Sequence, residues 1–386
     1  MIEKITALPE VKTPYYLFDL DILAAHIQNI RKQLPNIKLI YAMKANPLLV
    51  GRMQEWVDGF EVCSPGEYRI CQKHQIPNEK IILSGVYKNK DDIEMIFKQA
   101  TQPIYTIESL HHLEILADLS ETYQKEIKVL LRLSSGNQFG MDENTIEQIL
   151  AQKESYPYLK WEGIQVYSGT QKKSSKTQKE LVKMKDFMTL LESKYGVSFT
   201  TLEYGPGLPI HYFEAKKDDS LETLKTNLDN LNFSGNIALE IGRYLVASCG
   251  QYVTKVVESK VNYDKNYAIL DGGIHHVNYY GQFLGMKQPF ITHLKTSDNQ
   301  EEKEWELCGS LCTVADVLVK DMPFKGLSVN DLLVFEQVGA YSITESIFLF
   351  LSRDMPQVLF KSETNGIEVV RDTIQTDTIN TVKEQI

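Results

Sequence analysis

The chain has 386 residues, 43% of them hydrophobic and 24% charged, which is the composition of a globular protein long enough for two domains. Its formal net charge of −10 argues against a surface that binds nucleic acid or an anionic membrane. No apolar run is long enough to span a membrane, and the first residues hold no signal core, so we expect no membrane partner and no secretory leader. The five cysteines lack the spacing of a disulfide framework, which favours reduced thiols and a cytoplasmic location.

The first predicted elements are a strand-like run at Tyr15–Asp19 and a helix between Asp21 and Pro35. Asp19 or Asp21 can cap the start of this helix, and the proline ends it. Its apolar positions fall on one face at Leu23, Ile27, Ile30 and Leu34. We expect Tyr15–Asp19 to pair with a later β domain rather than with the strands that follow directly.

Eight strand-like runs come next, with helical stretches between them. The runs are Lys38–Ala42, Phe60–Cys63, Ile81–Ser84, Pro103–Ile107, Val129–Leu133, Gly163–Tyr167, Leu202–Gly205 and Ile237–Glu240. Helical patterns include Asp91–Lys98, Ser109–Leu119, Asn144–Gln152 and Lys176–Lys194. Eight strand–helix alternations over about 200 residues predict an α/β fold with a (β/α)₈ barrel of the TIM type.

The remaining sequence is typical of a β domain, because short β-like runs lie between turns with little helical pattern. These runs are Gln251–Val257, Tyr267–Leu270, Leu332–Phe335 and Val358–Phe360. We predict a barrel domain at residues 20–250 and a β domain formed by residues 1–19 and 251–386. The charged stretch Lys295–Glu304 is expected to be a solvated loop, and the polar tail 375–386 to be loose.

Chemically unusual residues stand at the carboxyl ends of the predicted strands, where barrels of this type carry their active sites. They are Lys44, Glu61, Cys63, Arg132, Tyr167, Gly205-Pro206-Gly207 and Glu240-Ile241-Gly242-Arg243. Lys44 alone could be a surface lysine, the usual position of this residue type, or an amine that forms a Schiff base with a carbonyl group.

Together these residues describe one ligand. The glycines at 205–207 could form a plain turn, or their N–H groups could close around a phosphate that Arg243 also binds. Tyr167 could pack in the core or cover a flat ring. A ligand with a carbonyl for Lys44, a phosphate and a planar ring is pyridoxal 5′-phosphate, which we predict as the cofactor.

With these residues the chain resembles the fold-type III pyridoxal-phosphate-dependent amino-acid decarboxylases, the superfamily of ornithine and diaminopimelate decarboxylases, which share an alanine-racemase-like barrel and β domain. Tyr41-Ala42-Met43-Lys44-Ala45-Asn46 matches the family's Schiff-base lysine motif. Further matches are Glu61-Val62-Cys63-Ser64 with Glu for the usual Asp, the phosphate loop Gly205-Pro206-Gly207, Glu240-Ile241-Gly242-Arg243 for a Glu-Pro-Gly-Arg motif, Gly309–Asp316 for a Gly-Pro-x-Cys-Asp/Glu motif, and Gly339-Ala340-Tyr341.

The resemblance implies a homodimer in which the cysteine loop of one subunit completes the active site of the other, so that Cys312 and Thr313 act in trans. It implies that Glu240 keeps the pyridine nitrogen protonated and that Cys312 returns a proton to Cα of the substrate. The cofactor-binding residues it indicates are Lys44, Glu61, Tyr167, Gly205, Gly207, Glu240, Gly242, Arg243 and Tyr341. The substrate contacts it indicates are Thr313, Arg132, His275 and Arg353.

Two other activities on this scaffold are alternatives. An alanine racemase, as the resemblance implies, sets an arginine against the pyridine nitrogen and follows its lysine with a Tyr-Gly-His-Gly type run. Here Glu240 takes the place of that arginine, and Asn46-Pro47 follows the lysine. A non-catalytic homologue of the antizyme-inhibitor type would lose the cofactor-binding set, which is intact. We therefore predict a decarboxylase (a carboxy-lyase).

The substrate prediction depends on Thr313. Relatives that act on lysine, ornithine or diaminopimelate carry Asp or Glu after the cysteine, and a threonine cannot form that ion pair with a distal ammonium. With its Cys-Thr pair the chain resembles one branch of the family more than the others. Members of that branch decarboxylate glutamyl groups on an acyl carrier protein or citryl-diaminopropionate amides in siderophore assembly. We therefore predict a modified or carrier-bound amino acid of secondary metabolism, with a free amino acid such as diaminopimelate as the alternative. Lys172, Lys173 and Lys176 could contact an acidic carrier protein or form a solvated loop.

His275 and His276 are adjacent and could be read as a metal pair. Adjacent histidines in a strand, however, point to opposite faces. We therefore predict no metal site, and we expect at least one of the two to face the substrate.

Overall fold

The computed structural model describes residues 1–216, 219–296 and 298–382, apart from the side chain of Ser174. It divides into two compact units. One unit contains Ile27–Ile210 and Lys217–Leu245, and the other contains Met1–His26, His211–Lys216 and Val246–Ile386. The domain limits proposed from the sequence, 20–250 and 1–19 with 251–386, remain a prediction, and residues 383–386 lie outside the described chain.

Helices of very different length connect the strands. They are α1 Ile2–Thr6, α2 Leu20–Gln33, α3 Val50–Met53, α4 Pro65–Lys73, α5 Lys90–Phe97, α6 Leu110–Tyr123, α7 Glu143–Ala151, α8 Ser174–Tyr195, α9 Ser220–Asp229, α10 Arg243–Val246, α11 Ser342–Glu345 and α12 Asp377–Asn380. Asp19 caps α2, since its Oδ1 accepts hydrogen bonds from the backbone N–H groups of Asp21 and Ile22 at 3.1 and 3.2 Å. Of the two caps that the sequence allowed for this helix, Asp19 is therefore the one used.

Parallel strands β2 to β9 close a barrel in the first unit, and together with a mixed sheet in the second they confirm the predicted fold class. Among the described residues these eight strands are β2 Lys38–Ala42, β3 Gly59–Val62, β4 Ile81–Leu83, β5 Ile104–Ile107, β6 Ile127–Arg132, β7 Leu159–Tyr167, β8 Thr201–Gly205 and β9 Asn236–Ile241. Each observed strand overlaps one of the predicted runs.

The inside of the barrel is layered, because alternate residues of a strand point to the same face. One layer is a buried apolar cluster of Ile40, Ile82, Leu130 and Ala238. The residues two positions later, nearer the carboxyl ends of the same strands or just beyond, are Ala42, Ser84, Arg132 and Glu240. A polar layer therefore lies directly above an apolar one, on the rim where barrel enzymes carry their chemistry.

The second unit contains a nine-stranded sheet within the described chain, with the order β14-β13-β11-β10-β1-β16-β17, and with β15 paired to both β10 and β12. Its strands are β1 Tyr15–Asp19, β10 Gly250–Asn262, β11 Lys265–Leu270, β12 Ile291–Leu294, β13 Glu302–Cys308, β14 Val317–Lys325, β15 Leu332–Glu336, β16 Gln357–Ser362 and β17 Gly366–Arg371. Strand β1 pairs antiparallel with β10 and parallel with β16, which confirms the expected pairing of Tyr15–Asp19 with the β domain.

Two local expectations about this unit are wrong. Lys295–Glu304 is not a loop throughout, because β13 begins at Glu302; its first residues are exposed on both faces, so a charged sequence can still form a strand. Ser297, inside the same stretch, lies outside the described residues. His275 and His276 lie in a turn after β11 and not in a strand, so their side chains do not diverge.

No helix in the described part of the chain is both long and apolar enough to cross a membrane.

Candidate active site

Lys44 lies at the carboxyl end of β2, in a short 3₁₀ turn at Met43–Ala45. Its Nζ is 2.6 Å from Oε2 of Glu61 and 3.2 Å from Oε1 of Glu240. Its side chain is 33% exposed, whereas both carboxylates are buried. The geometry thus brings together three residues that the sequence analysis selected from separate strands, with one amine between two acids.

The two carboxylates differ in acidity although they share the same cation. Burial raises the pKa of Glu61, but the charge of Lys44 and hydrogen bonds from Cys63 and Lys44 outweigh it, so the net pKa lies below the ordinary value. For Glu240, burial and the negative charge of Glu61 outweigh the attraction of Lys44 and raise the pKa to about 7. Glu61 therefore keeps its charge, while Glu240 can gain or lose a proton near neutral pH.

Cys63 completes the surroundings of Lys44. Its thiol donates a hydrogen bond to Oε1 of Glu61 at 3.0 Å, and its Sγ lies 3.8 Å from Nζ of Lys44. Burial and then the charge of Glu61 raise the pKa of this thiol well above its ordinary value. Cys63 is therefore a neutral hydrogen-bond donor that helps keep Glu61 ionised.

Gln165 and Glu203 extend this polar layer, and the sequence analysis did not identify either. Nε2 of Gln165 donates to Oε1 of Glu203 at 2.7 Å and lies 3.4 Å from Oε2 of Glu240. Burial and then the charge of Glu240 raise the pKa of Glu203 well above its ordinary value. The sequence did hold a signal for both residues, because each is a polar residue at an inward-facing position of a largely apolar strand. Gln165 stands two residues after Gly163, and Glu203 two residues after Thr201.

Arg132, predicted as a substrate contact, is buried and forms an ion pair with Glu108, with 2.8 Å between Nη1 and Oε2. A second buried cation, Lys88, donates to the backbone oxygen of Gly85 at 2.9 Å and to Oγ1 of Thr106 at 3.3 Å. Burial lowers the pKa of Lys88 to about 8, against the opposing charge of Glu108. Glu108 and Lys88 were not identified from the sequence, and a contact of Arg132 with substrate remains a prediction.

The glycines after β8 allow the backbone and Tyr167 to pack closely. Gly207 has a φ of +57°, and a Cβ there would lie 2.2 Å from the backbone oxygen of Gly169. A Cβ on Gly205 would lie 2.4 Å from Cδ2 of Tyr167, whose ring centroid is 5.8 Å from Nζ of Lys44. Two glycines therefore let the backbone approach an aromatic ring and an amine closely, and Arg243 is buried just after β9.

Lys172 is not part of a solvated or docking loop, contrary to both readings of the sequence. It is buried, and its Nζ donates to the backbone oxygen of Gly205 at 2.7 Å and pairs with Oε2 of Glu180 at 2.9 Å. Its backbone N–H donates to the oxygen of Gly207 at 2.9 Å. Lys172 therefore stabilises the glycine loop. The sequence did not indicate this role, because Lys172 lies in a run of lysines.

The β unit carries the other predicted residues. Cys312 is exposed on the loop 309–316, which is held because the buried Asp316 accepts hydrogen bonds from the backbone of Ile274 and Leu311 at 2.9 and 2.8 Å. Nη2 of Arg353 donates to the backbone oxygen of Ser310 in this loop at 2.8 Å. Thr313 follows Cys312 and is half-buried, and Tyr341 stands at the start of α11 with a φ of +66°.

His275 and His276 are both buried, with ring centroids 3.7 Å apart. Burial, with a smaller contribution from Arg353, lowers the pKa of His275 to about 4, so this imidazole is neutral at physiological pH. Among the described residues, no group of three or more His, Cys, Asp or Glu side chains is arranged to hold a metal ion.

The raised pKa of Glu240 predicts how the cofactor-free protein depends on pH. A carboxyl whose folded pKa is about 7 and whose ordinary value is 4.5 binds its proton more tightly in the folded state, so its contribution to stability is lost as pH rises through that window. Glu61, with a lowered pKa, acts only below 4.5 and in the opposite direction. Urea unfolding should therefore show E240Q only slightly more stable than the parent protein near pH 5 and clearly more stable near pH 7.

The matched control is E79Q, at an exposed glutamate in the turn Asn78–Lys80. Its difference in unfolding free energy from the parent should not change between the two pH values. Equal pH dependence of E240Q and the parent protein would contradict the assigned ionisation.

Comparison with known proteins places this geometry in a family. Residues 20–247 match the family described as pyridoxal-dependent decarboxylase, pyridoxal binding domain. The chain is 29% identical to an L-glutamyl acyl-carrier-protein decarboxylase of Niallia circulans, over 95% of this chain and 93% of that protein. It is 27% identical to the 2-[(L-alanin-3-ylcarbamoyl)methyl]-2-hydroxybutanedioate decarboxylase of Staphylococcus aureus, over 92% of this chain and 95% of that protein.

A solved structure shares the fold. Diaminopimelate decarboxylase from Helicobacter pylori, complexed with L-lysine, superposes with a TM-score of 0.87 at 21% identity, covering 98% of each chain. Because the matched family segment spans more than half of the sequence and contains the whole polar layer described above, the chain belongs to the pyridoxal-dependent decarboxylases, and its cofactor is pyridoxal phosphate.

Proposed function

We propose that this decarboxylase removes the α-carboxylate of an amino acid whose distal end is a neutral amide or thioester, with Lys44 as the cofactor-binding residue. The observation that carries the proposal is the position of the Lys44 amine between Glu61 and Glu240 on the barrel rim, beside Tyr167 and the glycine loop. This set of residues fits pyridoxal phosphate, because it offers an amine for an aldehyde, acids for a pyridine nitrogen and a glycine-containing loop for a phosphate.

When bound, pyridoxal phosphate would supply an aldehyde that joins Lys44 and a ring that accepts the electron pair left on Cα as CO₂ departs. We assign the phosphate to Gly205, Gly207, Gly242 and Arg243, and the face of the ring to Tyr167; the family resemblance adds Tyr341 to the cofactor-binding residues. Arg243 provides a forked donor and the glycines allow close backbone approach, the two features a phosphate needs.

Glu61 and Glu240 take different roles in this proposal. Glu61 stays ionised and holds the ammonium group of Lys44 at 2.6 Å, which orients the amine for the cofactor. Glu240, with a pKa of about 7, exchanges a proton with the ring nitrogen, because such a carboxyl holds or releases a proton near neutral pH. Cys312, exposed on its loop, donates the proton that replaces CO₂ on Cα.

The neutral distal group is supported by Thr313 and by the relatives. A threonine offers a hydroxyl and no charge, so the residue after Cys312 cannot pair with a distal ammonium. The two curated relatives are named for glutamyl and carbamoyl substrates, in which an amino acid is joined to a larger group. Decarboxylation of free diaminopimelate, the activity in the name of the Helicobacter pylori protein, is the alternative. A racemase would leave the α-carboxylate in place.

A substrate screen with CO₂ detection tests this function. We expect side-chain amides and thioesters of α-amino acids to release CO₂, and free lysine, ornithine and diaminopimelate to be slower by at least about 100-fold, because their ammonium would be desolvated without a partner. Rapid CO₂ release from a free basic amino acid would contradict the substrate assignment. Loss of optical rotation without CO₂ would indicate a racemase.

The variant T313E sharpens the screen by restoring the missing charge. We expect it to raise kcat/KM for ornithine or diaminopimelate and to lower kcat/KM for the amide substrate by about 10-fold or more. T313S keeps a hydroxyl and is the matched control, with little change for either class. If T313E leaves both substrate classes unchanged, Thr313 does not face the distal group.

We propose, further, that two copies of the chain assemble into a homodimer through the surface around Cys312. Large apolar side chains are exposed in the segments 280–286 and 347–351 and at position 314: Tyr280, Phe283, Leu284, Met286, Val314, Ile347, Leu349, Phe350 and Leu351. Phe283, Leu284 and Ile347 line one groove of about 290 Å³ together with Ala315 of the cysteine loop. Exposed apolar side chains in such number are typical of a surface that becomes buried in an interface, and a second copy is the occupant that the family resemblance implies. The cytoplasmic location remains a prediction.

Mixing two inactive variants tests whether Cys312 acts on the partner's Lys44. K44A and C312A should each lose most activity, and random exchange of their subunits should restore about one quarter of the parent activity, because half of the dimers then hold one intact site of two. Mixed samples that stay as inactive as the separate variants, with subunit exchange shown by mass, would contradict action in trans.

A further inference from the structure

Lys172 is the buried member of a group of lysines at and just before the start of α8. Its side chain is 2% exposed, whereas its neighbours Lys173 and Lys176 are exposed. Withdrawing an ammonium group from water is costly unless hydrogen bonds and an opposite charge compensate the loss. The inward direction of this one side chain therefore needs a structural reason, and its contacts supply one.

Hydrogen bonds, an ion pair and an aromatic ring fix the ammonium group of Lys172. It donates to the backbone oxygen of Gly205 at 2.7 Å and pairs with Oε2 of Glu180 at 2.9 Å. It also lies 4.7 Å from the ring centroid of Tyr204. Glu180 is itself held, because it accepts hydrogen bonds from the hydroxyl of Tyr204 at 2.6 Å and from the hydroxyl of Ser168. The ammonium group is therefore held by partners that are themselves anchored.

The backbone and the side chain of Lys172 both contact the glycine loop after β8. The backbone N–H of Lys172 donates to the oxygen of Gly207 at 2.9 Å, while the ammonium group holds the oxygen of Gly205. The aliphatic part of the side chain packs against Gly207, since a Cβ there would lie 2.9 and 3.1 Å from Cε and Cγ of Lys172. One residue thus binds the carbonyl groups of both glycines.

The direction of these carbonyl groups decides where the N–H groups of the loop point. A trans peptide is planar, so its N–H and C=O groups point in opposite directions. Because the oxygen of Gly207 faces Lys172, the N–H of Leu208, in the same peptide unit, points away from Lys172. Pro206 has no N–H to offer. Within the described part of the chain, the N–H groups of Gly207 and Leu208 donate to no protein acceptor, so both remain available to a ligand.

We propose that Lys172 is a positioning residue for the cofactor phosphate: it holds the carbonyl groups of Gly205 and Gly207 so that the N–H groups of Gly207 and Leu208 face the phosphate. This inference rests on the proposed function, which assigns the phosphate to the glycine loop. Lys172 acts through the loop and not on the phosphate itself, because its ammonium group is engaged by Gly205 and Glu180. Donors that are held in place before the ligand arrives bind it more tightly, because less ordering is required on binding. The loop therefore selects the phosphorylated cofactor.

The test compares pyridoxal phosphate with pyridoxal, which has the same ring and aldehyde but no phosphate. The two dissociation constants are measured with the cofactor-free, full-length protein by titration of the Schiff-base absorbance. We expect K172M to weaken binding of pyridoxal phosphate about 10-fold or more and to change binding of pyridoxal by less than about 2-fold, because only the phosphate uses the positioned donors. E180Q removes the charge that anchors the ammonium group, and it should show a smaller loss with the same selectivity.

The matched control is K173M, which removes the same charge from the adjacent, exposed lysine. We expect it to leave both dissociation constants within about 2-fold of the parent values, because an exposed charge interacts weakly through water. If K172M does not fold, E180Q gives the same comparison with Lys172 still in place.

Three results would overturn the positioning inference. Unchanged affinity of K172M and E180Q for pyridoxal phosphate would show that the loop does not depend on Lys172. Equal losses for pyridoxal phosphate and pyridoxal would show a general defect of the barrel, and an equal loss in K173M would show an effect of net charge. In each case the proposed function stands if the parent protein prefers pyridoxal phosphate to pyridoxal. A parent protein without that preference would refute the assigned phosphate site and the positioning inference together.

Discussion

The chemistry of the barrel rim depends on one ionic interaction, between the amine of Lys44 and the buried carboxylates of Glu61 and Glu240. Charges withdrawn from water are costly unless they are paired and hydrogen-bonded. One cation cannot fully satisfy two acids, so the layer resolves the conflict unequally: Glu61 keeps its charge, Glu240 titrates near neutrality, and Glu203 retains its proton. The contacts that stabilise these buried charges also leave the amine of Lys44 and the proton-exchanging carboxyl of Glu240 on the rim. Stability and chemistry thus arise from the same contacts.

The sequence predicted the barrel because strand spacing and helix periodicity are local properties that each segment carries alone. It identified Lys44, Glu61 and Glu240 because each follows or ends an apolar strand, where a charged residue is unexpected. It did not identify Gln165 and Glu203, because their importance depends on pairing across neighbouring strands, Gln165 beside Glu203 in the ladder, which one sequence does not display. Lys172 was misread for a related reason: a lysine within a run of lysines looks solvated, and only the fold brings it onto the oxygen of Gly205. The histidine pair was misread because a turn after β11 was taken for a strand.

Two independent observations bear on the choice of substrate. A threonine after the predicted acid Cys312 removes the charge that a basic amino acid would require, and relatives of similar sequence are named for conjugated amino acids. Each argument rests on a different kind of evidence: the absence of one charge, and the similarity of whole chains.

The assignment of Lys44 can be tested by borohydride reduction of the protein after incubation with pyridoxal phosphate, followed by peptide mapping. Borohydride fixes a bond between an amine and an aldehyde, so the label marks whichever lysine held the cofactor. We predict one phosphopyridoxyl group per chain, on the peptide that contains the partly exposed Lys44, with the buried amine of Lys88, which interacts with Glu61 and Arg132 of the polar layer, left unmodified. Labelling of Lys88 instead, or an unchanged polypeptide mass, would contradict the account.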